Sequence, residues 1–392
     1  MKLVFPDYAK YCIEKLESNR FEAWFVGGCV RDAILERECQ DIDITTNATP
    51  EQIVSIFEHT IPTGIKHGTV TVISDGKPIE ITTYRTEDKY TDFRHPEKIN
   101  FVDDIAQDLS RRDFTINALA YNDKQGLKDL FGGLDDIKNK TIRSVGNPLN
   151  RFREDALRIL RAYRFAGVLG FSMSDDVKNA SIRLIPLLEK ISGERVLSEL
   201  TKLSSGKNIS VICDFINHGG LSGFGINNLN CDVDILQKLS ESNVESILKL
   251  PLLISLTDHD TQIIKRKLKP DNRFYASINL LDRLCAERPS LDDKISLKKL
   301  LSQYGADNVK LYLNYLRIMG FNKHHTILEN YNQILSQGEP YSISHLAIGG
   351  DDLVSIGING RDIGRCLEYA LNYVIKYPER NTKNLLITLF KK

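Results

Sequence analysis

The chain has 392 residues, 42% of them hydrophobic and 27% charged, with 12 prolines, a composition that excludes long disorder, collagen-like repeats and low-complexity scaffolding. Lysine plus arginine equals aspartate plus glutamate at 52 each, so no global charge pulls the chain toward nucleic acid or membrane, and any anionic partner must be held by local clusters. At about 150 residues per domain the length predicts two or three domains.

Seven cysteines (Cys12, Cys29, Cys39, Cys213, Cys231, Cys285 and Cys366) are odd in number, scattered and without CxxC spacing. That predicts a reducing, cytoplasmic setting and no structural zinc. Met1 to Lys10 lacks an apolar signal core, and the longest apolar stretch, Leu248 to Leu256, is interrupted by Lys249 and Pro251. Neither secretion nor membrane insertion is expected.

In chain order, Ala23 to Val26 reads as a short strand ending at Gly27-Gly28, and a helical pattern follows over Val30 to Leu35. Asp41-Ile42-Asp43-Ile44-Thr45 alternates with period two, which puts Asp41 and Asp43 on one face. Thr49-Pro50 opens a helix to about His59, with Thr49 as cap. Thr69 to Ile73 and Ile79 to Tyr84 read as strands joined by an Asp75-Gly76 hairpin turn, with Glu80 on the face opposite Ile79 and Ile81. Arg85 to Asn100 is polar and aperiodic and reads as a long mobile loop. Beyond a hinge at Asn147-Pro148 the pattern turns helical, over Arg151 to Val168, Asp175 to Leu188 and Glu194 to Leu203. Gly219-Gly220, Lys269-Pro270-Asp271 and Gln337 to Pro340 read as breaks.

Chemistry concentrates near the glycine turn. Two carboxylates on one strand face suit a hard divalent cation completed by water and substrate phosphate, although an Asp-x-Asp on a strand edge is more often only a solvated face. Gly27-Gly28 lets backbone approach a ligand closely, and the helix after it directs N–H groups and the Arg31 charge toward a phosphate. A plain turn with a surface arginine is the competing reading. Glu80 faces correctly for a third carboxylate, although edge strands often carry such a residue without a role in chemistry. Arg111 and Arg112 precede a helix opened by Asp113, which could cap it or reach a ribose hydroxyl. His259-Asp260 lacks the further ligands of a metal phosphohydrolase and reads as a surface loop. The basic run Lys265 to Lys269 could touch RNA phosphates or be a solvated helix end, with the balance slightly toward the latter, and His324-His325 has no partner pattern.

These residues carry a family resemblance. Phe25 to Leu35 followed by Asp41 to Thr46 resembles the signature of class II tRNA nucleotidyltransferases, within the polymerase-beta-like superfamily. Arg111 to Ala118 is similar to their second motif, Asp129 to Asp136 to the third, Glu154 to Ala166 to the fourth, and Ile191 to Val196 to the fifth. Five motifs in order over residues 25 to 200 make the match specific; Leu346 to Thr382 resembles the family's C-terminal end more loosely, and Asn359 to Asp362 departs from a proline-containing turn common in relatives.

The resemblance implies an α+β chain: a mixed-sheet nucleotidyltransferase head (1–140), then an elongated all-α neck with base recognition (141–205), body (206–290) and tRNA-binding tail (291–392). It implies an enzyme that adds CMP, CMP and AMP to the 3′ end of tRNA from CTP and ATP, with release of pyrophosphate and no template. Two-metal phosphoryl transfer would use Mg²⁺ on Asp41 and Asp43, with Glu80 as a further member of the site. Gly27, Gly28 and Arg31 would position the triphosphate, while Arg112, Asp113, Arg161 and Arg164 would hold ribose or phosphate.

Base choice has a physical reading of its own. Asp155 and Arg158, three apart on one helical face with Arg161 and Arg164 continuing the stripe, offer an acceptor and a donor. Cytosine and adenine each present an amino donor beside a ring-nitrogen acceptor, whereas uracil and guanine set a carbonyl beside an N–H and would leave groups unpaired at roughly 1–3 kcal/mol each. Solvated ion pairs are the bland alternative. Partial CC or A addition and poly(A) synthesis are neighbouring activities in the family; retention of Tyr84 through Phe101, shortened in CC-adding members, favours full addition. A non-catalytic RNA-binding protein would have needed to lose the carboxylates.

Overall fold

The computed structural model describes residues 1–39, 41–87, 99–229 and 232–391. Its contacts divide the chain into two units, residues 1–230 with 257–270, and residues 231–256 with 271–392. The chain thus passes between units within the break read at Lys269-Pro270-Asp271, and residues 206–290 are shared between the two.

The first unit begins with helix α1 (Asp7–Ser18) and strand β1 (Ala23–Val26), whose four residues are all buried. The chain turns at Gly27 into α2 (Gly28–Ile34) and returns as β2 (Asp43–Thr46). Helix α3 (Pro50–Ile56) starts at a capping box in which Thr49 and Gln52 satisfy each other's backbone N–H, with Pro50 at the first position. Strands β3 (Thr60–Gly64), β4 (Thr69–Ser74) and β5 (Lys77–Thr83) follow. Asp75 and Gly76 both take positive φ, 49° and 70°, which makes the β4–β5 connection a tight hairpin that matches the twist of its strands.

The segment read as one long loop is different at its base. β6 (Arg85–Glu87) pairs antiparallel with β7 (Ile99–Phe101), so each end is held by a strand ladder; residues 88–98 lie outside the described residues. Helix α4 (Ile105–Ser110) leads through a short turn (Thr115–Asn117) to the hairpin β8 (Leu119–Asn122) and β9 (Gly126–Asp129). Seven strands form one mixed sheet in the order β3-β4-β5-β2-β1-β8-β9, with β2 and β5 parallel and the other pairs antiparallel. Trp24, Val26, Tyr84, Ile105, Leu109 and Ala120 form a core that binds α4 to the sheet.

After α5 (Gly133–Lys138) the unit becomes helical. α6 (Pro148–Glu154) starts at the expected Asn147-Pro148, and α7 (Leu157–Leu169), α8 (Asp175–Leu184) and α9 (Gly193–Ser204) follow. The helix expected over Arg151 to Val168 is two helices. Asp155 is extended (φ −135°, ψ 106°), and its carboxylate accepts from the Leu157 N–H at 3.0 Å. A short acidic side chain that satisfies a free N–H at a helix start competes with helix continuation, which is the physical reason for the break. His259 ends a three-residue strand paired with Ile226–Leu229, and Asp260 caps the helix Thr261–Leu268 that carries the start of the basic run.

The second unit is built from helices including Asn272–Glu287, Lys294–Tyr304, Ala306–Ile318 and His324–Ser336. A C-terminal set, Gly350–Ser355, Arg361–Lys376 and Lys383–Thr388, closes over a core of Ile348, Leu353, Ala370, Val374 and Leu386. Among the described residues no helix is long and apolar enough to cross a membrane.

Candidate active site

The mixed sheet brings the carboxylates together. β2 and β5 run parallel with Asp43 directly opposite Glu80, so both side chains leave the same face; Asp41, expected on the same strand face, lies in the bend before β2, because the strand pairing begins only at Asp43. Asp41 and Glu80 are exposed while Asp43 is half-buried. Burial pushes the Asp43 carboxyl up to about 6; Arg112 opposes the shift, and Glu80 and Asp41 add to it as like charges.

No three histidine, cysteine, aspartate or glutamate side chains among the described residues converge closely enough to enclose an ion by themselves. A Mg²⁺ ion that keeps waters and shares substrate phosphates needs only one or two carboxylates. Asp41 and Asp43 fit that requirement, and the unfavourable charge on Asp43 is of the kind a bound cation relieves.

Gly27 takes φ 78° and ψ −132°, a conformation open to glycine and costly for other residues. A Cβ there would lie 2.9 Å from Arg112 Nη1 and 3.9 Å from Asp43 Oδ2, so the absence of a side chain lets the guanidinium settle over the turn beside the carboxylate. Arg112 is held by Asp108, whose fully buried carboxylate also takes Arg111 at 2.8 Å. Burial would raise the Asp108 carboxyl, but the two guanidiniums prevail and hold it below its usual range. The Nε of Arg112 is buried without a hydrogen-bond partner.

The other predicted cations join a different constellation. Arg31 Nη1 donates to Asn117 Oδ1 at 2.6 Å, and Asn117 in turn donates to Asp113 at 3.0 Å. Asp113 also accepts from its neighbour Phe114 N and pairs with Arg161 at 2.6 Å. Arg161 and Arg164 then share Glu199, at 3.6 and 2.8 Å. The rings and charges stack as well: Arg31, Arg161 and Arg164 lie 5.0, 5.4 and 3.9 Å from the Phe165 ring centre.

Burial would raise the Asp113 carboxyl, yet Arg161 and Asn117 hold it well below the usual carboxylate range. Burial, opposed by Glu199 and helped by Arg161, lowers Arg164 to about 10. Asp113 therefore neither caps a regular helix nor presents a free oxygen to a ribose; both its oxygens are taken up in joining α2, the 115–117 turn and α7. Phe114 N binds its carboxylate first, and a buried acid beside a guanidinium is too costly to leave unpaired.

Asp155 and Arg158 are each preset by other residues. Asp155 is held by Arg195 on α9 at 2.8 Å, and Arg158 donates to Glu154 at 2.6 Å and to the carbonyls of Arg151 and Arg111, both at 3.2 Å. These contacts leave acceptor capacity on Asp155 and N–H groups on Arg158. Because the helix breaks at Asp155, the two are not neighbours on one continuous helical face. Asn117, Glu199, Arg195, Glu154, Asp108 and Phe165 were not assigned from sequence. Asp108 announced itself only by spacing, three and four before the arginine pair; Asn117 and Arg195 lay inside motifs.

The model of the poly(A) polymerase head domain matches residues 23–143, and that of a probable RNA and SrmB-binding site of polymerase A matches residues 170–213. The CCA-adding enzyme of Lactobacillus delbrueckii subsp. bulgaricus is 38% identical over 386 residues, 95% of this chain and 94% of that protein. The chain belongs to the CCA-adding enzyme family. A further CCA-adding enzyme, from Staphylococcus haemolyticus, is 39% identical over 301 residues, 77% of this chain and 74% of that one. The crystal structure of the Bacillus stearothermophilus CCA-adding enzyme in complex with CTP has a TM-score of 0.80 at 26% identity, over 98% of each chain. Both the nucleotidyltransferase resemblance and the α+β class read from sequence are borne out.

Proposed function

We propose that the chain adds CMP, CMP and AMP in succession to the 3′ end of tRNA in the cytoplasm, taking CTP and ATP, releasing pyrophosphate and using no nucleic-acid template. The observation that carries this reading is the convergence of Asp43, Glu80 and Arg112 at Gly27: carboxylates for a cation and a cation for a triphosphate, at a turn stripped of side chains. Full-length similarity to CCA-adding enzymes supports three-nucleotide addition over CC or A addition, poly(A) synthesis or RNA binding without catalysis.

Asp41 and Asp43 would hold Mg²⁺. When bound, the metal ions supply a lowered pKa at the terminal tRNA hydroxyl and charge neutralisation at the phosphates, in the two-metal manner. Glu80, opposite Asp43, adds negative field on the same face. Gly27, Gly28 and Arg112 would cradle the triphosphate, with Arg112 neutralising oxyanions and held in aim by Asp108. Arg31, Arg161 and Arg164, tied through Asn117, Asp113 and Glu199, form a preset cationic wall around Phe165 for ribose and phosphate.

Asp155 and Arg158 would read the pairing edge of the incoming base. Arg195 and Glu154 fix them before the nucleotide arrives, so an unsuited edge cannot be accommodated by simple rotation. Residues 1–140 act as the catalytic head, 141–205 as the neck with base recognition, 206–290 as the body and 291–392 as the tail that binds tRNA. Incubation with tRNA lacking its last three nucleotides and single labelled triphosphates, followed by sequencing, tests the proposal. C, C and A in order support it; homopolymeric A or no extension overturns it.

A further inference from the structure

Arg151, on α6 just ahead of the fourth motif, has no part in the function proposed above, yet its guanidinium is committed in three directions. Nε donates to the Val145 carbonyl at 3.0 Å, Nη2 to the Ser110 carbonyl at 2.6 Å and Nη1 to Glu154 Oε2 at 2.9 Å. Arg158 reaches the same oxygen of Glu154 with its Nη1 at 2.6 Å and donates from Nη2 to the Arg111 carbonyl at 3.2 Å. Ser110 and Arg111 are the last residue and the cap of α4. Carbonyls at a helix end have no partner inside the helix, so two guanidiniums that share one carboxylate oxygen close the end of α4. The next residue is Arg112, whose guanidinium rests over Gly27 and is held by Asp108 from within α4.

We infer that Arg151 is a positioning residue that couples base choice to triphosphate placement, an inference that rests on the function proposed above. Through Glu154 it fixes Arg158, which would read the base. Through the Ser110 carbonyl it fixes the end of α4, and with it the backbone that carries Arg112, which would hold the triphosphate. Neither reader then shifts without the other. A base edge that displaces Arg158 pulls on Glu154 and on the Arg111 carbonyl, and so moves the origin of the Arg112 side chain.

A wrong base is thereby penalised twice, by its own unpaired groups and by a triphosphate drawn out of line. The device needs the fork of a guanidinium. N–H groups fixed in one plane meet a carboxylate and two carbonyls at once, which a single ammonium on a flexible stem does not reproduce. Arg153, two residues further along α6, is exposed and provides a control of equal charge.

The test measures equilibrium binding of CTP and of UTP to the full chain without tRNA, for the parent, Arg151→Gln, Arg151→Lys, Arg153→Gln, Arg112→Ala and the Arg112→Ala, Arg151→Gln double variant. Arg151→Gln is expected to lower the preference for CTP over UTP by roughly 5-fold, and to weaken CTP binding in the parent but by less than about 2-fold once Arg112 is gone. Arg151→Lys, which keeps the charge beside Glu154 and guards against a failure to fold, is expected to lose the same preference, while Arg153→Gln retains it. A purely structural role would cost the same factor with and without Arg112. That result, an unchanged preference in both Arg151 variants, or an equal effect of Arg153→Gln overturns the inference. Extension of tRNA lacking its last three nucleotides is followed in parallel: a parent that prefers CTP in binding but extends no tRNA counts against the proposed function, while the binding cycle still decides the role of Arg151.

Discussion

Asp43 on β2 stands in register with Glu80 on the parallel strand β5, so two carboxylates from segments 37 residues apart in sequence share one face with Arg112 as the nearby cation. A buried carboxylate with like charges beside it opposes folding when ionised, which makes the candidate metal site a place where stability is given up for chemistry.

That cost has a pH signature. Burial raises the folded-state carboxyl of Asp43 to about 6 from 3.8, so the stability contributed by its protonated form is present below about 4 and lost as pH rises through 6. Asp43→Asn removes the titration. In metal-free buffer it is expected to stabilise the chain by up to about 3 kcal/mol above pH 6, with no difference near pH 3.5, while nucleotide transfer is abolished. Urea midpoints across this range check it; a constant offset contradicts the assigned charge burden.

Gly27→Ala tests the glycine turn. The substitution forces a Cβ into a conformation that costs about 1–3 kcal/mol and against Arg112 Nη1 at 2.9 Å. Weaker triphosphate binding and a lowered melting temperature should appear together, and Gly27→Ala with parental KM for CTP would show that Arg112 does not need this approach.

The Asp113 network is expected to hold the head to α7. Asp113→Asn leaves Arg161 with only its longer contact to Glu199, at 3.6 Å, and the loss of the close pair costs up to about 3 kcal/mol at neutral pH. Since the folded-state carboxyl lies well below its usual range, its contribution is present above about 4 and is lost as pH falls further. Denaturation midpoints of parent and Asp113→Asn should therefore converge in acid.

Base choice should fail in a graded way. Asp155→Ala removes the acceptor and is expected to reduce discrimination against UTP by roughly 5- to 150-fold, the equivalent of about 1–3 kcal/mol. Arg195→Ala, which frees Asp155 without deleting it, should relax selectivity less. Competition between CTP and UTP on one tRNA measures both, and unchanged ratios would refute the pairing-edge argument.

The head was legible because its signals are local. Asp75-Gly76 and Thr49-Pro50 act through neighbouring residues, and each produced the expected hairpin or cap, whereas the Asp-x-Asp alternation gave a strand only from Asp43 onward, with Asp41 in the bend before it. What escaped was choice of partner. Arg31 meets Asn117, 86 residues away, and Arg161 meets Asp113, 48 away, and no periodicity encodes such pairings. The break at Asp155 escaped because the apolar pattern continues through it; only the side-chain bond to Leu157 N distinguishes a cap from helix interior.

The most direct test compares parent and Asp43→Ala on tRNA lacking its terminal three nucleotides, measuring tRNA affinity and single-turnover incorporation from each of the four triphosphates. The account predicts that the parent takes only CTP and then ATP, and that Asp43→Ala binds tRNA as the parent does but incorporates nothing. Equal turnover by the two proteins, or incorporation of UTP and GTP by the parent as readily as CTP and ATP, would contradict it.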